Sequence, residues 1–162
     1  MVESDPYWKL RPAPPTPRAE ICSCEGTPSL LLRSILGPNS LACANCNLEV
    51  APEQLGISAK LAESLASWRS FHDCFYILWL DSAEFEEWAR LQLSNPGSPV
   101  NVRGLNLRAE LDPVRRAYLW WFQDTGADDF VPLADCPICH GKLVDANLVG
   151  LACEHCGVLV AN

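Results

Sequence analysis

The sequence lacks any apolar run of the roughly 18 to 20 residues that a bilayer-spanning helix needs, so no membrane contact is expected. Its first residues, MVESDPYWKLRPAPPTP, lack the apolar core of a secretion signal; export is not expected, and the chain reads as cytoplasmic. It also lacks positive charge. Twelve Lys and Arg stand against 20 Asp and Glu, a formal net charge of −8. That argues against a generic nucleic-acid binder with a basic footprint, and suits a partner that is itself basic, or one held by contacts that are not electrostatic. No Gly-rich phosphate loop, nucleophile elbow or HExxH helix is present, so no motif points to catalysis. Disorder is excluded by composition: 49% of the 162 residues are apolar and 20% charged.

What the sequence has instead is nine cysteines, and eight of them fall into four close pairs. An odd count in a chain read as cytosolic argues against disulfides and for metal. The C-terminal set is Cys136-Pro-Ile-Cys139 followed, after 13 residues, by Cys153-Glu-His-Cys156. A two-residue gap lets both thiolates of a pair converge on one ion, and a hairpin between the pairs supplies four sulfurs to a tetrahedral Zn²⁺. Gly141 and Gly157 stand close behind the pairs, where a tight turn can aim backbone N–H groups at sulfur. Haem attachment at Cys136–His140 would need export and leaves the second pair unexplained. A redox CxxC or an iron–sulfur cluster explains the full pattern less well than a structural zinc ribbon. His140 and His155 lie beside the ligands and are expected outside the metal shell, which four thiolates complete.

The N-terminal set is Cys22-Ser-Cys24, 18 residues, then Cys43-Ala-Asn-Cys46. CxC is a less usual knuckle, but the second half is ordinary, with Asn45 able to take a left-handed turn. A second structural zinc is expected here; the alternative is a ribbon whose thiols stay reduced and metal-free. Cys74 has no partner and sits in an apolar stretch, so a buried free thiol is expected. Filling both four-thiolate sites would take the net charge to about −12 and would leave no open coordination position for substrate.

Four segments follow. Residues 1–19 form a proline-rich arm, expected extended, with Tyr7 and Trp8 as anchors. Residues 20–53 form a small ribbon-like unit with strands at 30–36 and 48–50. Residues 54–112 read as helical. Ser58 caps a first helix whose Leu61, Leu65, Trp68, His72, Phe75 and Trp79 share a face, although a short strand over 71–80 stays open. A second helix is expected from Ser82 to Leu93, with Asp81 as N-cap and Phe85, Trp88, Leu91 and Leu93 buried. A third runs from Pro99 to Leu111 behind a Ser98 cap. Residues 113–162 hold an aromatic strand and the C-terminal ribbon, with strands around 143–144, 148–152 and 158–160. The fold class is α+β: two small zinc ribbons flank and pack on a helical middle. Ribbons this small need metal to hold together.

Two surfaces stand out. Carboxylates gather at Glu84, Glu86 and Glu87 beside Asp81, and again at Asp124, Asp128, Asp129 and Asp135. They suit docking of a basic protein such as a toxin or enzyme, against the plainer reading of solvated helix starts and loops. Arg103, Arg108, Arg115 and Arg116 precede Tyr118, Trp120, Trp121 and Phe122, the composition of a single-strand or RNA platform. Against it, Arg108 can pair with Asp112, and Trp120 and Trp121 can alternate between two packed faces.

From Leu65 to the C-terminus the chain resembles an uncharacterised bacterial family of zinc-ribbon-containing proteins described as candidate nucleic-acid binders. The resemblance rests on Ser67-Trp68-Arg69-Ser70, on the run from Glu87 to Asn101 with its Asn95-Pro96-Gly97-Ser98-Pro99 turn, on the aromatic strand, and on the final ribbon in that order. It implies the C-terminal ribbon and a nucleic-acid label that acidity weakens. The function expected is therefore non-enzymatic protein binding, as an inhibitor or immunity protein. Nucleic-acid binding through residues 103–122 is the alternative.

Overall fold

The computed structural model describes residues 14–128 and 130–161. Most of the proline-rich arm, with Tyr7 and Trp8, lies outside the described residues, as does Asp129. The architecture is α+β, with a helical middle between two four-cysteine clusters. Strands β1 (Leu30–Leu32) and β2 (Leu41–Cys43) come first. Helices α1 (Ala59–Asp81), α2 (Glu86–Ser94) and α3 (Pro99–Leu111) follow, then β3 (Ala117–Trp121), β4 (Val144–Asp145), β5 (Gly150–Cys153) and β6 (Val158–Ala161).

The strands of both cysteine units join in one six-stranded sheet, ordered β2-β1-β3-β6-β5-β4. The aromatic strand β3 is its hinge. It pairs in parallel with β1 on one side and with β6 on the other, whereas the outer pairs are antiparallel. Parallel pairing needs long crossovers, and the three helices between β2 and β3 supply one of them. Although β2 and β4 are opposite edges, the Val149 N–H donates to the Ala44 carbonyl at 2.8 Å, and Asn45 Nδ2 donates to the Asn147 carbonyl. The sheet therefore curls until its two ends meet.

Period-two alternation sorts the strand residues into two cores. Leu30, Leu32, Leu119, Trp121, Val158 and Val160 face the helices, where they meet Leu61, Leu65, Trp68, Leu107 and Leu111. Leu31, Tyr118, Leu159 and Ala152 fill the inside of the curl, with Trp120, Leu148 and Val149 packed against them. Trp120 and Trp121 do divide between the two faces. Trp68 Nε1 donates to the Val100 carbonyl at 2.9 Å and its indole lies against Gly104, so α3 can approach α1 closely only because residue 104 has no side chain.

The helical expectations hold in part. Ser58 and Ser98 cap α1 and α3 through the Leu61 and Asn101 N–H groups. The run at 71–80 is helix, continuous with α1. The second helix differs. α1 runs through Asp81, which is therefore not an N-cap, and α2 starts only at Glu86. Ser82 Oγ accepts the Phe85 N–H and the Glu86 carboxylate accepts the Ala83 N–H, so two staggered bonds hold the turn before α2, and its N-cap Phe85 makes no side-chain cap. Its other end is closed by Asn101, whose buried amide donates to the Leu93 and Asn95 carbonyls at 2.9 Å each. That explains the Asn95–Asn101 segment physically: one turn ends α2, starts α3 and satisfies the carbonyls between them. In the N-terminal unit, the strand expected at 30–36 covers only Leu30–Leu32, and the chain turns back through a left-handed Leu36. β2 carries the pairing instead, and of residues 48–50 only Glu49 forms bridges, to Ile21 and Ala42.

Candidate metal centres

Each cysteine set converges. Cys22, Cys24, Cys43 and Cys46 form one group, and Cys136, Cys139, Cys153 and Cys156 another, with all sulfurs of a group within 4.8 Å of one another. No cysteine is in a disulfide. The sulfurs of Cys24 and Cys43 are 4.0 Å apart, and those of Cys139 and Cys153 3.7 Å apart. Four sulfurs about 2.3 Å from a central Zn²⁺ lie about 3.8 Å apart in a tetrahedron, so both groups fit that ion. The protein is thus built around two four-cysteine sites suited to Zn²⁺. Sulfur-only shells are closed, and the expected use of such an ion is structural.

The strands place the ligands. Cys43 ends β2 and Cys153 ends β5, so each strand delivers a buried cysteine and then turns through its knuckle. Backbone amides point at sulfur in each case. Asn45 N–H reaches Cys43 Sγ at 3.4 Å and Ile138 N–H reaches Cys136 Sγ at 3.5 Å. The Leu48 amide serves Cys46, the Gly141 amide Cys139 and the Cys156 amide Cys153. These donors favour the thiolate that metal requires. The Gly141 N–H, with the Cys156 and Cys153 thiols, draws Cys139 down to about 7. Cys24 goes the other way: hydrogen bonds shared with the Cys46 and Cys22 thiols push it up to about 12.

In every CxxC pair the residue just after the second cysteine is left-handed: Asn47 at φ 62°, His140 at φ 58° and Gly157 at φ 64°. This corrects two expectations. The left-handed residue of the N-terminal knuckle is Asn47 rather than Asn45. In the 136–139 knuckle it is His140, while Gly141 contributes its amide. His140 and His155 are exposed and belong to neither sulfur group.

Cys74 is a further correction. It is exposed rather than buried, because the inward face of α1 is set by Leu61, Leu65, Trp68 and His72, and residue 74 lies well round the helix from it. The buried face of α2 also differs from expectation. Ala89 and Leu93 face inward, fully buried, whereas Phe85, Trp88 and Leu91 are each 49% exposed. Ala89 and Leu93 take the inward stripe, while Trp88 rests on the Phe75 ring of α1 with half its surface open. Spacing alone held the signal, since 89 and 93 are four apart and 85, 88 and 91 form the other stripe.

Glu84, Glu86, Glu87 and Asp128 are exposed. Glu87 is bound to Arg90 through two hydrogen bonds of 2.7 and 2.9 Å. Of the arginine group, Arg108 pairs with Asp112 at 3.0 Å, and Arg116 pairs with Asp112 and Glu154, each at 3.1 Å. Arg103 lies over the Phe71 ring, and Arg115 is half-buried. Trp121 is buried and Trp120 half-buried. No helix among the described residues is long and apolar enough to cross a membrane.

Compared with protein-family models, with curated proteins and with solved structures, the chain matches none of them.

Proposed function

We propose that this zinc-binding protein is a non-enzymatic protein-binding module, an inhibitor or immunity protein whose partner is basic. The observation that carries the reading is the α1–α2 corner. Phe85, Trp88 and Leu91 stand half-exposed at three-residue spacing, with Trp88 leaning on the Phe75 ring of α1. Large apolar groups concentrated on one corner of an acidic protein are the composition of a binding patch. Asp81, Glu84, Glu86 and Glu87 surround them, all exposed. The complementary partner presents apolar side chains flanked by Lys or Arg: the apolar centre supplies affinity, and the carboxylates supply orientation and association rate. The same acidity, deepened by two four-thiolate sites, favours that partner over a polyanion. The ion pairs of Arg108 and Arg116 and the burial of Trp121 also favour it over the arginine–aromatic platform. The resemblance to the zinc-ribbon family is compatible with either partner.

The test is purification of the tagged full chain from its source cells after nuclease treatment, followed by titration of the co-purified protein against variants. Trp88→Ala with Leu91→Ala is expected to weaken binding by a hundredfold or more, on the order of 3 kcal/mol. Glu84→Lys with Glu87→Lys is expected to slow association and flatten its salt dependence. Arg115→Glu with Arg116→Glu should change neither. Loss of binding only in the arginine variant, or of all captured material on nuclease treatment, would replace this reading with nucleic-acid binding.

A further inference from the structure

A different part of α1 builds a second site. Between α1 and β3 lies a cleft of about 250 Å³ walled by Tyr76, Trp79, Trp120, Trp121 and Phe122, with His72 in its wall. The rings brace one another. Tyr76 and Trp79 meet edge to face at 5.2 Å, Trp79 and Phe122 at 4.9 Å, and His72 stacks on Tyr76 at 6.3 Å. Such a frame is rigid and leaves ring faces for a flat guest.

His72 is the unexplained member. It is 92% buried and makes no hydrogen bond among the described residues, and its Nδ1 is fully enclosed without a partner. A buried polar atom without a partner costs stability and asks for a reason. Burial also pushes its pKa down to about 4, against a smaller opposing pull from Asp73, so the ring is neutral at pH 7; with Nδ1 enclosed, Nε2 is the nitrogen left to meet an occupant, as donor or acceptor according to the tautomer.

Two neighbouring polar side chains are already committed, while the Thr125 hydroxyl in the lining makes no hydrogen bond among the described residues. Asp73 accepts from the Ser34 hydroxyl and the Leu36 N–H. Gln123 donates to the Ala161 carbonyl and accepts from the Leu133 N–H. No Asp, Glu, Lys or Arg among the described residues lines the cleft. Its occupant is therefore flat, uncharged and able to hydrogen-bond at one edge.

We propose that this cleft binds a small, planar, neutral heteroaromatic molecule, stacked on the Tyr76 and Trp79 rings and exchanging a hydrogen bond with His72 Nε2. The volume suits one ring or a fused pair and lies below the range for drug-sized ligands. The same chemistry is met by a free heterocycle and by a base splayed from a single strand.

The test uses the full zinc-loaded chain, titrated with adenine and separately with indole, read by heat flow and by tryptophan fluorescence. Saturable one-to-one binding of either ring is expected. His72→Phe keeps the ring and its burial and should weaken that binding about tenfold by removing the hydrogen bond. Trp79→Ala should weaken it further, and Trp88→Ala, outside the cleft, should leave it unchanged. Retention of two zinc ions per chain confirms that each variant is folded, and Tyr76→Leu replaces Trp79→Ala if that variant loses metal. A short oligoadenylate binding more tightly than adenine, with the same sensitivity to His72→Phe, would assign the site to a strand's base; adenine alone would assign it to the free ring. No saturable binding of either ring up to millimolar concentration overturns the proposal. So does binding that His72→Phe, Trp79→Ala and Tyr76→Leu all leave intact.

Discussion

The two metal ribbons share a plan but are attached to the molecule by different edges. In each, a strand ends in a buried cysteine, a CxxC knuckle follows, and a left-handed residue closes it. The C-terminal ribbon joins the central strand through β6, the strand that leaves its knuckle, and the Leu119 N–H donates to the Gly157 carbonyl at 2.8 Å. Its metal site therefore sits against the middle of the sheet. The N-terminal ribbon joins through β1, the strand before its ligand-bearing strand, and Leu30 faces Cys43 there as Val158 of β6 faces Cys153. Its first knuckle, Cys22-Ser-Cys24, is held by the Cys22 N–H to Glu49 carbonyl bond at 2.7 Å and a single bridge. The counterpart at Cys136–Cys139 closes on itself, with Cys136 N–H to Gly141 carbonyl at 2.8 Å and His140 N–H to Cys136 carbonyl at 3.0 Å. Equal donor sets can thus carry unequal shares of a fold, according to how firmly the first knuckle of each is held.

The largest expected difference is between ligand replacements. Cys153→Ser should remove one zinc and loosen β5, β6 and the central strand together, costing at least about 3 kcal/mol of stability. Cys24→Ser should also remove one zinc but free mainly the segment before β1, at about half that cost or less. Metal counting by mass spectrometry with chemical denaturation checks both. Equal losses would mean that the two sites bear the sheet alike. Metal removal gives the same comparison kinetically: a chromogenic chelator should take zinc in two phases, the faster from the N-terminal site. Cys24→Ser should abolish the fast phase only, and a single phase of two ions would refute the inequality.

Next in size are the residues that close the second knuckles. Gly157 is left-handed, and a Cβ there would run into the Arg108 side chain, which its ion pair with Asp112 holds in place. Gly157→Ala should therefore destabilise by about 2 kcal/mol, from backbone strain and the displaced arginine together. Its counterpart Asn47 pays for the same conformation with a side chain whose buried Oδ1 has no partner. Asn47→Gly should stabilise by up to about 1 kcal/mol. Opposite signs in thermal unfolding are the expected result.

Much of this site was legible in the sequence, because metal chemistry fixes residue type and spacing together. All eight ligands, the two capped helices and the division of Trp120 from Trp121 follow from local rules. What was not legible depends on pieces distant in the chain. No local pattern shows that β3 joins two ribbons into one sheet, since parallel partners such as Leu31 and Tyr118 are far apart in sequence. The outward turn of Phe85, Trp88 and Leu91 was hidden for a related reason. Their apolar character argues for burial, and only the assembled packing, with Ala89 and Leu93 on the inward stripe, decides against it. His72 was visible as one more member of a helix face, but its lack of a partner is a property of the assembled cleft.

The smallest effect probes the seam where the two ribbons touch. Asn45 lies in the N-terminal knuckle, and its amide donates across to the Asn147 carbonyl, 3.3 Å away in the β4–β5 turn. The bond is exposed, so Asn45→Ala should cost under about 1 kcal/mol. Its value lies in coupling. The neighbouring Val149 to Ala44 backbone bond ties the same two turns, so the loss of one metal should be felt at the other across this seam. If so, the cost of Cys24→Ser should shrink in an Asn45→Ala background, and a double-mutant cycle reads the difference directly. Additive costs would mean that the ribbons communicate only through β3, which would leave the hold on each first knuckle as the whole of the difference between them.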